Sequence, residues 1–179
     1  MKRIFLMGYM GAGKTTVGKK LAERLNLSFT DLDWFIEHRH HKTINQIFAD
    51  SGEAGFREIE KEALHEVAEF ENALISVGGG TPCFFDNIGF MGEKGISIYL
   101  KVSPAVLSAR LCQARHTRPL LKDKTDDEIL TFITEALAKR EPSYEKATIV
   151  FDASELNTRE DIDRIVTLLA EKIEALANN

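Results

Sequence analysis

The chain has 179 residues, of which 44% are hydrophobic and 28% charged, with a formal net charge of −5. At roughly 100–200 residues per domain this is one compact domain, long enough to bury about 70% of its unfolded surface without staples. Ordinary apolar content excludes a disordered chain, and the acidic balance argues against nucleic-acid partners, which draw an excess of Lys and Arg.

Residues 3–7 (RIFLM) are an apolar run closed by Gly8, which suits a buried strand. From Lys14 onward Val17, Leu21 and Leu25 recur every four residues, the pattern of an amphipathic helix. Residues 28–31 (SFTD) predict a second strand ending in Asp31-Leu32-Asp33. Residues 34–72 contain no good strand; their apolar spacing predicts several helices, broken near Thr43 and Ser51-Gly52. ALISV (73–77) is a third strand, stopped by Gly78-Gly79-Gly80, and ISIYL (96–100) a fourth. Ser103 as N-cap and Pro104 as first helical residue open a helix through Arg110. Residues 112–124 are polar and basic without periodicity and read as a loop. A helix from Asp126 to about Arg140, a strand at 147–151 (ATIVF) and a closing helix at 158–177 complete the chain. Strands alternating with helices predict a three-layer α/β/α fold around a mostly parallel five-stranded sheet. The strands are apolar throughout, which predicts burial on both faces.

Cys83 and Cys112 show no CxxC or ligand spacing, so two reduced thiols in a cytoplasmic protein are expected. No apolar run approaches the ~18 residues of a membrane span. The basic and apolar start of the chain breaks at Gly8, too early for an export signal.

Gly8-Tyr9-Met10-Gly11-Ala12-Gly13-Lys14-Thr15 fits G-x-x-x-x-G-K-[ST], between a strand and a helix as that motif requires. Glycines permit a tight turn whose N–H groups point inward at a phosphate, and the helix N-terminus adds partial positive charge. Lys14 can reach the β- and γ-phosphates, and the Thr15 hydroxyl suits Mg²⁺, a hard cation. The motif by itself specifies a nucleoside triphosphate and not its fate.

Asp31 and Asp33, as alternate residues at a strand end, can face the phosphate loop together. One can support a metal through water and the other orient or deprotonate a hydroxyl; a helix N-cap plus a turn aspartate is the equally open alternative. Arg57 and Glu60 lie one helical turn apart, so Glu60 can hold the guanidinium as a fork for a carboxylate, although alone the pair also reads as a surface salt bridge. The triple glycine suggests close approach of a ligand to the backbone, with a mobile turn as the alternative. The basic stretch offers Arg110, Arg115, Arg118, Lys122 and Lys124, suited to a flap that neutralises a transferring phosphoryl group, or to a solvated loop.

Taken together, G-x-x-G-x-G-K-T, D-L-D, F-x-x-x-G-E-x-x-F-R-x-x-E, S-V-G-G-G, R-P-L-L and K-R-x-x-x-Y, in this order from Gly8 to Tyr144, resemble the shikimate kinase family. The resemblance implies a P-loop core like that of nucleoside-monophosphate kinases, in a single domain with a helical acceptor insert at about 33–61 and a lid at about 112–124. It implies transfer of phosphate from ATP to the 3-hydroxyl of shikimate, giving shikimate 3-phosphate and ADP in aromatic amino-acid biosynthesis, with Mg²⁺ as cofactor. By position, Gly11, Ala12, Gly13, Lys14, Thr15 and Thr16 would cradle the phosphates. Thr15 would ligate the metal directly and Asp31 through water. Asp33, Arg57, Gly79 and Arg140 would bind shikimate between walls of Phe48 and Phe56, with Glu60 orienting Arg57. Lys14, Asp33 and Arg118 would act in catalysis, Arg118 reaching ATP from the lid. Many members carry Arg or Pro after the last strand, where this chain has Ser154-Glu155-Leu156-Asn157-Thr158. Rival readings are a kinase of another hydroxy acid such as gluconate, a nucleoside-monophosphate kinase, and a regulatory nucleotide switch. Against the switch, no N-K-x-D guanine-reading motif is present. Nothing in the sequence demands a dimer, so a monomer is expected.

Overall fold

The computed structural model describes residues 2–114 and 121–177. In chain order it contains β1 (Arg3–Met7), α1 (Lys14–Arg24), β2 (Ser28–Asp31), α2 (Leu32–His40), α3 (Ile44–Val67) and β3 (Ala73–Ser76). A 3-10 turn (Thr81–Cys83), α4 (Asn87–Lys94), β4 (Ile96–Lys101), α5 (Pro104–Gln113), α6 (Asp126–Tyr144), β5 (Ile149–Asp152) and α7 (Arg159–Ala177) follow. The sheet runs β2-β3-β1-β4-β5, and every neighbouring pair is parallel. Helices pack around it, α1 against α7, α5 against α6 and α2 against α3.

Burial follows position in the sheet. Ile4, Phe5, Leu6 and Met7 of central β1 are inaccessible to solvent, and β3 is buried along its length. The expectation of strands buried on both faces fails at the two edges. In β5, Ile149 and Phe151 are buried while Val150 and Asp152 face out, and β2 is covered only in part. An edge strand lacks a neighbour and has one thinly covered face, so it alternates as an antiparallel strand would.

Two sequence signals set the helices that frame the site. Thr43 caps α3 in a reciprocal box with Gln46, which explains the break after α2. Within α3, Gly52 leaves helical geometry (φ 66°, ψ −178°) and kinks the element where Ser51-Gly52 predicts a break. Because all strands run the same way, the end of β1, Asp31 of β2, the glycines after β3 and the segment after β5 share one rim. In parallel sheets ligands bind at that rim.

Candidate active site

The phosphate loop is shaped by its backbone. Gly13 holds φ 92° and ψ 15°, a left-handed conformation that a side chain would strain, and it starts α1 without any side-chain cap. The first N–H groups of α1 are thereby left for an incoming anion rather than for a capping side chain. Lys14 Nζ donates to the carbonyls of Gly8 (2.9 Å) and Tyr9 (3.3 Å), inside the loop's own curve. Gly11, Gly13, Lys14, Thr15 and Thr16 line a cavity of about 880 Å³. Ala12 is buried and donates its N–H to Tyr9 O (3.1 Å), so it shapes the turn rather than the cavity wall.

Asp31 and Asp33 both line the same cavity, but not as alternate residues of one strand. The strand ends at Asp31, which caps α2 by accepting from Trp34 N (3.2 Å), and Asp33 lies in the first turn of that helix. The capping alternative therefore holds for Asp31, and the helical turn supplies the shared facing. Desolvation by the surrounding protein, then the charges of Asp31 and Glu60, raise the Asp33 pKa to about 6, with Lys14 opposing. Asp33 is open to the cavity, so water tempers this shift until a ligand displaces it.

Arg57 and Glu60 are not a surface pair. Glu60 is 1% exposed and the Arg57 side chain 11%, with Nη1 2.8 Å from Glu60 Oε2. Thr81 donates its hydroxyl to the other Glu60 oxygen (2.6 Å). The buried Arg57 Nε has no hydrogen-bond partner among the described residues. Phe48 and Phe56 stack at 4.3 Å and form an apolar wall beside the guanidinium. Arg57 Nη2 also reaches Glu53 Oε1 at 3.4 Å, a long contact to a mostly exposed carboxylate. A buried arginine whose one close partner is a buried carboxylate is suited to take a second carboxylate in place of that weak surface contact.

The triple glycine is an ordered surface. Tyr144 donates its hydroxyl to Gly79 O, and Arg140, one turn earlier on α6, lies 5.3 Å from the Tyr9 ring centre and on the cavity wall. Tyr144 closed the last sequence motif without a role; its place four residues after Arg140, on one helical face, was the available signal.

Arg110 lies in α5, as the predicted helix through Arg110 has it, and not in a flap with the rest of the basic stretch. It donates to Gly11 O (3.3 Å), Ser154 O (3.3 Å) and Leu156 O (2.7 Å), tying the phosphate loop to the segment after β5. Gly11, Arg110 and Leu156 border a second cavity of about 440 Å³ with Val106, Ala109 and Asn157, and Gly11 is shared with the first. From the segment Ser154–Thr158, which holds no Arg or Pro, Leu156 and Asn157 thus border this space. Arg115 and Arg118 lie outside the described residues.

The donors present fit Mg²⁺. The Thr15 hydroxyl and the Asp31 carboxylate are hard oxygens on one cavity, and this ion takes one or two protein oxygens together with substrate phosphates. Among the described residues no cluster of three or more His, Cys, Asp or Glu is placed to hold a metal.

A phosphate loop facing an aspartate and a buried arginine across one cavity defines a P-loop phosphotransferase with a small anionic acceptor. The family model for shikimate kinase matches residues 10–170. A shikimate kinase of Parabacteroides distasonis is 57% identical over 169 residues, 94% of this chain and 98% of that protein. The crystal structure of shikimate kinase from Bacteroides thetaiotaomicron superposes with a TM-score of 0.94 at 54% identity, covering 97% of this chain and 98% of the other. The shikimate kinase of Acinetobacter baumannii, solved in complex with shikimate, gives 0.81 at 33% identity, covering 100% and 95%. The chain belongs to the shikimate kinase family, and its activity is ATP-dependent phosphorylation of shikimate to shikimate 3-phosphate.

Proposed function

We propose that the large cavity holds shikimate and the ATP phosphates side by side, and that its residues divide the reaction as follows. The loop Gly11–Thr16, with Ala12 shaping its turn and its other N–H groups facing the anion, and the Lys14 ammonium hold the β- and γ-phosphates. Mg²⁺, carried by Thr15 directly and by Asp31 through water, supplies charge neutralisation on those phosphates when bound. Arg57 and Arg140 grip the shikimate carboxylate, and the backbone at Gly79 fits against its ring. Asp33 orients the 3-hydroxyl and takes its proton as the hydroxyl oxygen bonds to the γ-phosphorus and the bond to the β–γ bridging oxygen breaks. A base with a pKa of about 6 is ionised at neutral pH yet more basic than an ordinary aspartate. Arg118 acts from the lid at about 112–124 on the transferring group, and the nucleoside occupies the second cavity beside Arg110 and Leu156.

The observation that carries this reading is the buried Arg57–Glu60 fork on the same cavity as Lys14 and Asp33. A nucleotide switch has no use for an acceptor grip in that place, and the F-R and G-G-G motifs around Arg57 argue against a nucleoside-monophosphate kinase. We read the chain as one domain, with the acceptor insert at about 33–61, working as a cytoplasmic monomer. The described walls of both cavities come from one chain, and among the described residues no helix is long and apolar enough to cross a membrane.

The test is ADP release with Mg-ATP and shikimate, gluconate, AMP or no acceptor. Turnover is expected with shikimate alone. Turnover with gluconate alone, or at equal rates without any acceptor, overturns the reading.

A further inference from the structure

The turn after β3 does more around Arg57 than fill space. A Cβ on Gly80 would stand 2.6 Å from both Arg57 Nη atoms, so the backbone there lies directly against the guanidinium. On another side the Phe84 ring centre is 4.0 Å from Arg57 Cζ, nearer than Phe56 (5.1 Å) or Phe48 (6.0 Å). Thr81, wholly buried, donates to Glu60 Oε1 while Arg57 holds Oε2, so one carboxylate is clamped at both oxygens. The turn that presents these two side chains is itself fixed. Asn87 Nδ2 donates to Thr81 O (2.9 Å), Cys83 N donates to Gly80 O (2.9 Å), and Phe85 takes a left-handed φ of 52° that turns the chain at Phe84. A non-glycine residue in that region costs energy and persists only where surroundings hold it.

We propose that Thr81 and Phe84 are positioning residues for acceptor binding: Thr81 through Glu60, and Phe84 by direct contact, hold the Arg57 guanidinium in the orientation that grips the acceptor's carboxylate. The proposal rests on the reading of Arg57 as the carboxylate anchor. The physical need is plain. An arginine side chain has several rotatable bonds, and a fork that must meet a planar carboxylate at two points loses affinity when it swings. Glu60 fixes one edge of the guanidinium through Nη1, and the exposed Glu53 reaches Nη2 only at 3.4 Å. The hydroxyl of Thr81 stops the Glu60 carboxylate from rotating, and the ring of Phe84 confines the guanidinium plane. Neither side chain lines the cavity, so neither is a catalytic residue.

The experiment compares kcat/KM for shikimate and for its methyl ester, which keeps the hydroxyls and removes the negative charge, in Thr81→Val, Thr81→Ser, Phe84→Leu and Arg57→Gln. Thr81→Val is expected to lower kcat/KM for shikimate about 10-fold, the scale of one hydrogen bond to a charged group, chiefly through KM. For the ester the loss stays under about 2-fold, because no carboxylate is there to be gripped. Thr81→Ser, which keeps the hydroxyl, restores most of the loss, and Phe84→Leu behaves as Thr81→Val does. Thr81→Ala takes the same place should the valine variant melt below the assay temperature. Equal losses for acid and ester, or a serine variant no better than valine, overturn the proposal and leave Thr81 as core packing. Arg57→Gln separates the two readings. If it too fails to distinguish acid from ester, the anchor assignment itself falls; if it distinguishes them and Thr81→Val does not, only the positioning role falls.

Discussion

The two sides of the large cavity are made by different means. The phosphate side is a short stretch of backbone, Gly8 to Thr16, whose shape depends on left-handed glycines and on the free N-terminus of α1. The acceptor side is a set of side chains brought from α2, α3 and α6, namely Asp33, Arg57 and Arg140, backed through Glu60 by Thr81 from the turn after β3. A site made of amides tolerates exchange of exposed side chains but not a change of backbone shape. A site made of side chains depends on atoms placed at the ends of flexible stems, so it needs a supporting layer. That is what Glu60 provides, pinned between Arg57 and Thr81.

The largest expected effect breaks the phosphate side without removing any functional group. Gly13→Ala adds one methyl at φ 92°, where its Cβ would also press on Leu156 Cδ2 at 3.1 Å. The loop must reshape, and a displacement of about 1 Å at reacting groups costs on the order of 100-fold in rate. Steady-state kinetics should show kcat/KM for ATP falling by that order while shikimate binding, measured by calorimetry without nucleotide, stays nearly intact. Retained ATP kinetics would mean that the loop's amides are not what holds the phosphates.

The acceptor side should fail in the opposite way, when the charge is kept and the shape of the head group changes. Arg57→Lys preserves the positive charge but cannot engage Glu60 and a second carboxylate with a planar fork. Loss of one charge-assisted bond, about 1.5–3 kcal/mol, raises the shikimate KM roughly 10- to 100-fold. The ATP KM should hardly move. If both KM values rise together, the two sides are not separately built.

The same contrast explains how much was legible in the sequence. The phosphate loop is contiguous, so its residues and its setting between β1 and α1 could be read directly. The buried strands β1, β3 and β4 were equally plain from apolar runs. Asp33 was placed at a strand end because D-L-D reads as alternation, whereas the cap from Asp31 to Trp34 N starts a helix one residue earlier. Helix α4 left no sequence signal: Gly89 and Gly92 lower its intrinsic propensity by about 1 kcal/mol each, and burial of Ile88 and Met91 holds it in place. Arg110 was read both as the end of the predicted helix and as part of the basic stretch; α5 runs on to Gln113, so Arg110 is an interior helical residue that reaches the carbonyls of Gly11 and Leu156. The Thr81–Glu60 bond joins residues 21 positions apart on different elements, a pairing no local pattern announces. The spacing of Arg57 and Glu60 already offered a carboxylate fork, with a surface salt bridge as the alternative, whereas Arg140 was tied to the acceptor only by the family-specific combination of motifs.

The smallest expected effect lies where the two sides meet, at Asp31 and Asp33. Burial is the main cause that raises the Asp33 pKa to about 6, and the Asp31 charge is the next. Asp31→Asn removes that charge yet keeps an oxygen able to cap α2, so the helix start survives. With a negative neighbour gone, ionised Asp33 becomes less unfavourable and its pKa falls, though burial and Glu60 keep it above the ordinary aspartate value. If ionised Asp33 is the base, kcat/KM for shikimate in the parent enzyme drops as pH falls through about 6. In Asp31→Asn that acid limb should move to lower pH, so the variant keeps more of its own plateau activity at pH 5 than the parent keeps of its own. Both profiles are measured at saturating Mg²⁺, so that the comparison reads the limb and not metal affinity. An acid limb that stays in place would show that the group titrating near pH 6 is not Asp33, and would move the proton-accepting role away from the residue that joins the two sides.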